Sequence, residues 1–149
     1  GCYCAANQML RVIIYRIGKQ YEYVVIDNEA GMEHLSRRTT RNVDVLLLVT
    51  DPTQRGLATA QRMAAMVPEL EIGVGRTYLV VNRLRGAMPT PLAEAVGESG
   101  LELLGTIPED AAMAEFEFTG RPLVELPADT AVYQAVSELA MRALREVTV

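Results

Sequence analysis

The sequence predicts a doubly wound α/β fold, a mainly parallel sheet with helices on both faces. Three observations carry this expectation. Four short runs, Tyr-Val-Val-Ile at 23–26, Val-Leu-Leu-Leu-Val at 45–49, Thr-Tyr-Leu-Val-Val at 77–81 and Leu-Leu-Gly-Thr-Ile at 103–107, are near-continuous in hydrophobicity. Strands buried on both faces of a parallel sheet look like this, whereas half-exposed strands alternate. Helical patterns separate the runs, and strands that alternate with helices wind into a parallel sheet with right-handed crossovers. The chain has 149 residues, half of them apolar, which is enough for one domain with a proper core and too few for two. Residues 1–149 are therefore read as a single domain.

Residues 7–20 place Leu10, Ile13, Ile14 and Ile17 on one helical face, although the β-branched run Val12-Ile-Ile-Tyr15 suits a strand equally well. The 23–26 strand follows. After the second strand, Asp51-Pro52-Thr53 opens a helix over 55–67; a short helix over 91–98 follows the third strand and stops near Gly100. Residues 86–91 and 120–127 are turn-rich connections within the domain. In the last segment Val132, Val136, Leu139, Ala143 and Val147 recur at helical spacing behind Asp129, a suitable N-cap.

Fourteen basic and nineteen acidic residues give a net charge of −5 with no long run of either sign. That balance argues against a nucleic-acid groove or an anionic membrane surface. No apolar stretch is long enough to span a bilayer, and no basic-then-apolar leader is visible, so the expected location is the cytoplasm.

Ligands of such sheets bind outside the carboxyl ends of the strands. Here those ends read Asp27-Asn-Glu-Ala-Gly31, Thr50-Asp51-Pro52-Thr53, Asn82-Arg83 and Pro108-Glu109-Asp110; all are polar, and three carry a carboxylate. An aspartate after a buried strand suits water-bridged Mg²⁺, and a glycine four residues on lets a backbone N–H approach a phosphate. Asp27 and Gly31 have that spacing, which a helix cap followed by a turn explains as well. Asn82 carries an amide that can both donate and accept, as the edge of an adenine requires, though asparagine also ends strands for turn reasons.

The stretch Tyr23-Val-Val-Ile-Asp27-Asn-Glu-Ala-Gly31-Met-Glu-His34-Leu-Ser-Arg-Arg-Thr-Thr40, with Asp51-Pro52 and Arg55-Gly56-Leu57, resembles the nickel-inserting accessory ATPases of carbon monoxide dehydrogenase maturation. These belong to the deviant-Walker P-loop ATPases, together with the septum-positioning ATPase and the nitrogenase iron protein. Asn82-Arg83 and Pro108-Glu109-Asp110 match the group's adenine-side motifs. The resemblance implies that Asp27 is the Walker B aspartate near Mg²⁺ and Gly31 the switch II glycine. It implies that Asn82, Arg83 and Pro108 to Asp110 frame the adenine of ATP or ADP, and that residues 31–40 form the switch II helix.

The group also has an N-terminal phosphate loop with two lysines, and this chain has one lysine, Lys19. Gly73-Val-Gly75-Arg76-Thr77 mimics the tail of such a loop but precedes a strand and carries Arg for Lys. The expectation is therefore the C-terminal part of a P-loop ATPase domain, lacking the P-loop strand that lies between the strands ending at Asp27 and Asp51. It would leave a gap in the sheet and be inactive in hydrolysis without the N-terminal P-loop portion.

Cys2 and Cys4, the only cysteines, are too close in sequence for an unstrained disulfide. Two thiolates can grip one metal ion, and two copies of the chain about a two-fold axis supply the four sulfurs of a closed Zn²⁺ or Ni²⁺ site. Reduced, non-ligating thiols are the plainer alternative; the resemblance points to the metal, since that family joins two protomers through a Cys-x-Cys. The implied partners are a second copy and apo carbon monoxide dehydrogenase. The rival readings are a non-catalytic, metal-bridged dimerisation module and a related ATPase of iron–sulfur assembly or partitioning. His34 reads as a surface residue, Arg37, Arg38 and Arg41 as a solvated basic face, and Met63, Met66, Met113 and Met141 as packing residues.

Overall fold

In a computed structural model that describes residues 4–28, 42–70, 73–145 and 147, the central feature is a three-stranded parallel sheet. Its strands are β1 (Asn42–Thr50), β2 (Gly73–Leu84) and β3 (Glu102–Pro108), in that order across the sheet. The helices are α1 (Cys4–Gly18), α2 (Gln54–Met66), α3 (Thr90–Glu98), α4 (Ala111–Thr119) and α5 (Ala131–Arg145). Each predicted apolar run from 45 onward forms a strand, and each strand is followed by a helix, as the α/β reading requires.

The two sheet faces are covered by different helices. On one, Leu48, Leu79 and Val81 pack with Leu57 and Ala60 of α2 and Val96 of α3. On the other, Tyr78, Val80 and Leu104 pack with Leu139 and Ala143 of α5. Leu79 and Val81 are fully buried, Tyr78 and Val80 nearly so, which is why β2, the central strand, shows no polar alternation from 78 to 81. Gly105 of β3 is required by this second layer, since a Cβ there would lie 2.7 Å from Leu139 Cδ2. Gly75 likewise lets β2 run against β1, where a Cβ would meet the Asp44 carbonyl oxygen at 2.7 Å. The loop-like glycines at 73–75 thus begin a strand instead of cradling a phosphate.

The 23–26 strand is not formed. Residues 23–28 carry no ladder, and β1 pairs only with β2 among the described residues. A strand needs a hydrogen-bonded neighbour, and no described strand lies on the free side of β1 to provide one. On the sheet face that α5 packs against, β1 leaves Leu47 and Val49 exposed, at 41% and 59%. The residues at 12–15, ambiguous between strand and helix, belong to α1.

One helix, α4, has no counterpart in the sequence expectations, and another begins one residue later than expected. The Glu115-Phe-Glu-Phe118 alternation hides α4, a helix with Asp110 at its N-cap and Gly120 in the left-handed conformation at its end. Asp129 lies one position too early to cap α5, because the carbonyl of Thr130 accepts the first intrahelical bond, from Gln134. Among the described residues no helix is long and apolar enough to cross a membrane. Cys2, Gly31, His34, Arg37, Arg38, Arg41 and the switch II helix of 31–40 lie outside the described residues, and Cys4 is described only as the first residue of α1.

Candidate nucleotide-base site

The carboxyl ends of β1, β2 and β3 converge on a cleft of about 460 Å³ lined by Asp51, Pro52, Arg83, Leu84, Arg85, Pro89 and Glu109. Parallel strands place all their carboxyl ends on one edge, so three segments 20 or more positions apart in sequence meet there. The apolar faces of Pro52, Leu84 and Pro89 and the polar groups of Arg83 and Asp51 suit a flat heteroaromatic ring with a polar rim.

On the β1 side, the Thr53 hydroxyl donates to Asp51 Oδ1 at 2.6 Å and accepts from the Gly56 N–H at 3.0 Å, capping α2. Gly56 has to be glycine, because a Cβ would fall 2.2 Å from Asp51 Oδ1 and 2.3 Å from Thr50 Oγ1. On the β2 side, Asn82 Oδ1 accepts from the Arg83 N–H at 2.8 Å. Arg83 has φ 57°, the only positive φ of a non-glycine among the described residues. This left-handed geometry is unfavourable for arginine, and such strain collects at binding sites. With Oδ1 so engaged, the Asn82 NH₂ donates to no acceptor among the described residues.

Two further contacts join β2 to β3. The Glu109 N–H donates to the Leu84 carbonyl at 2.9 Å, and the Arg85 guanidinium forks onto the Glu109 carboxylate through Nε to Oε2 and through Nη2 to Oε1, the latter at 3.0 Å. Arg85 holds the Glu109 carboxyl below the usual glutamate range, with Arg83 adding to the effect, and Glu109 in turn raises Arg85. Next to it, Asp110 is half-buried and lowered, first by the hydrogen bond from the Val132 N–H and then by those from Ala112 and Met113. Its carboxylate serves helix ends, and it is not part of the cleft lining.

Of the site residues expected from sequence, Arg83 and Glu109 line one cleft, and Asn82, Pro108 and Asp110 adjoin it. Asp27 lies elsewhere, in an apolar groove of about 320 Å³ formed by Ile13, Ile14, Ile17, Val24, Val25 and Ile26. Sequence reasoning missed Arg85 and did not place Asp51 in the site. Both sit directly past an apolar strand, and that position was the signal. Among the described residues no group of three His, Cys, Asp or Glu side chains stands close enough to hold a metal ion.

No protein-family model matches the chain. An uncharacterized ATP-binding protein of Methanocaldococcus jannaschii is 43% identical over 146 residues, which cover 98% of this chain and 58% of that protein. The carbon monoxide dehydrogenase accessory protein CooC of Rhodospirillum rubrum is 32% identical over 128 residues, covering 85% of this chain and 47% of CooC. The chain thus spans about half the length of the curated relatives it matches. In structure it superposes on the cell division ATPase MinD of Pyrococcus furiosus with a TM-score of 0.70 at 23% identity, covering 93% of this chain and 58% of that one. By sequence and by fold, the chain is a homologue of the ATP-binding, MinD/ParA-like P-loop ATPases, with CooC among its relatives.

Proposed function

We propose that the chain is the adenine-side, C-terminal portion of an ATP-binding metallochaperone ATPase that inserts nickel into carbon monoxide dehydrogenase. The observation that carries the nucleotide part is the cleft at the carboxyl ends of β1, β2 and β3, with the Asn82 amide and the strained Arg83 at its mouth. In this reading Asn82, Arg83 and the main chain of Pro108, Glu109 and Asp110 hold the base. Asp27 and Gly31 act at the Mg²⁺ and terminal-phosphate end, beside a P-loop strand that docks on the free edge of β1. The free edge of β1, which pairs only with β2 among the described residues, supports this placement, since an open edge favours a further strand.

The nickel part rests on the Asp27-to-Thr40 stretch and on the 32% identity to CooC. Cys2 and Cys4 of two copies would form one four-sulfur site that holds Ni²⁺ as cargo or Zn²⁺ as a structural ion, and apo carbon monoxide dehydrogenase would receive the metal.

Two measurements test the proposal. Calorimetric titration of the chain with ATP or adenosine should show binding, with no hydrolysis until the P-loop portion is supplied; hydrolysis by the purified chain alone refutes it. Gel filtration with Zn²⁺ or Ni²⁺ should show a dimer that the Cys2→Ser, Cys4→Ser double variant fails to form. An oligomeric state indifferent to metal removes the bridged-dimer part.

A further inference from the structure

We infer that Asp110 is a positioning residue, one carboxylate that closes the N-termini of two helices and so fixes the turn at the end of β3 without touching a ligand itself. The inference rests on the reading of the neighbouring cleft as a base site, and it corrects the simplest version of that reading, in which every polar side chain of the turn faces the base.

The bonds divide by oxygen. Asp110 Oδ1 accepts from the Ala112 N–H at 2.8 Å and the Met113 N–H at 3.4 Å, at the start of α4. Oδ2 accepts from the Val132 N–H at 3.1 Å, at the start of α5 and 22 residues further along the chain. The residue in position to cap α5 locally is Thr130, and its hydroxyl is turned to the Pro127 carbonyl at 2.7 Å. The early N–H groups of a helix have no intrahelical acceptor, and the aligned peptide dipoles make that end positive. Two such ends meeting at one anion explain why the Asp110 carboxyl is held in its charged form.

The consequence for the site is geometric. α5 covers the β3 face through Leu139 and Ala143, and Asp110 is the first residue but one after β3. Anchoring it to α5 and α4 together leaves the Pro108–Glu109 backbone little freedom to swing relative to the sheet. Glu109 is likewise engaged, by Arg85. Base recognition on this side then falls to main-chain groups, Asn82 and Arg83, with both carboxylates acting as supports.

Asparagine separates this role from ligand contact, because it keeps one acceptor oxygen and loses the other. Amide hydrogen exchange on the ligand-free chain should show Asp110→Asn losing protection at one helix start, either Val132 or the Ala112/Met113 pair, by roughly tenfold as expected for a lost cap. Asp110→Ala should lose both. Adenosine affinity measured by calorimetry should fall several-fold in Asp110→Ala and by less in Asp110→Asn. The inference is overturned if both helix starts stay protected in Asp110→Asn, or if adenosine binding falls equally in the two variants with exchange unchanged. A wild-type chain that binds neither adenosine nor ATP would instead remove the base-site reading and the positioning role with it, while the exchange pattern would still report the double cap.

Discussion

Tyr-Val-Val-Ile at 23–26 and Tyr-Leu-Val-Val at 78–81 are nearly the same peptide, and they end in opposite conditions. In the second, every side chain is at most 2% exposed; in the first, exposure runs from 36% at Ile26 to 94% at Val25. Both begin with tyrosine and continue with branched apolar residues, so intrinsic strand preference does not separate them. Neighbours do. Residues 78–81 have β1 on one side, β3 on the other, and helices above and below. Among the described residues, 23–26 border the face of α1 across an open groove. A strand is a property of a pair, and an apolar run states readiness to pair without supplying the partner.

The sharpest way to break this comparison is to truncate one apolar side chain in each segment. Leu79→Ala should cost about 2–5 kcal/mol, the range for a large buried aliphatic whose cavity cannot collapse. Val25→Ala should stay within about 0.5 kcal/mol, as surface substitutions do. Urea unfolding of both variants decides it; equal losses would mean that residues 23–26 are packed after all. Adding the P-loop portion sharpens the contrast from the other side, because Val25→Ala should then become destabilising if a strand docks beside β1.

Glycines offer the next largest effect. A Cβ on Gly105 would sit 2.7 Å from Leu139 Cδ2 in the packed body, whereas one on Gly18, at the end of α1, would meet Val24 Cγ2 at 3.4 Å, an ordinary contact. Gly105→Ala should therefore cost about 1–3 kcal/mol through overpacking of α5 on the sheet. Gly18→Ala should be neutral or stabilise by up to about 1 kcal/mol, since it removes freedom from the unfolded chain. Thermal unfolding midpoints would report both, and a loss at Gly18 as large as that at Gly105 would erase the distinction between the two regions.

What the sequence revealed follows the same division. The runs at 45–49, 77–81 and 103–107 were legible as strands because each is near-continuous and becomes part of one shared sheet. The helices over 54–66, 90–98 and 131–145 were legible from period and turn residues. α4 was hidden because Glu115-Phe-Glu-Phe118 alternates with a period near two while the helix buries only Phe116. In the site, strand-end position pointed to Asn82, Arg83 and Glu109. The fork of Arg85 onto Glu109 and the reach of Asp110 to Val132 join residues 24 and 22 apart, and no local pattern encodes such a pairing. Asp129, the locally obvious cap, lost to an aspartate from another element.

The smallest expected effect concerns acid, and it tests whether the carboxylates of the packed body are engaged as described. Glu109 and Asp110 both titrate below their ordinary values of 4.5 and 3.8. A carboxyl whose pKa is lower folded than unfolded binds fewer protons in the native state, so stability rises with pH through that interval. Their contribution should be complete above the ordinary carboxylate range and lost as pH falls below it, through the depressed native values. Unfolding midpoints measured from pH 7 to pH 3 should therefore decline less steeply in Asp110→Asn and in Glu109→Gln than in the wild-type chain. Salt separates the two residues. The Arg85–Glu109 fork is exposed and faces mobile ions, so its part of the decline should shrink in 1 M NaCl, where the screening length is about 3 Å. The part due to Asp110 should persist, because short backbone N–H bonds at two helix starts leave ions little room to intervene. If salt abolishes both parts equally, Asp110 is an ordinary surface charge, and the difference between the body's internally bonded carboxylate and a solvated one disappears.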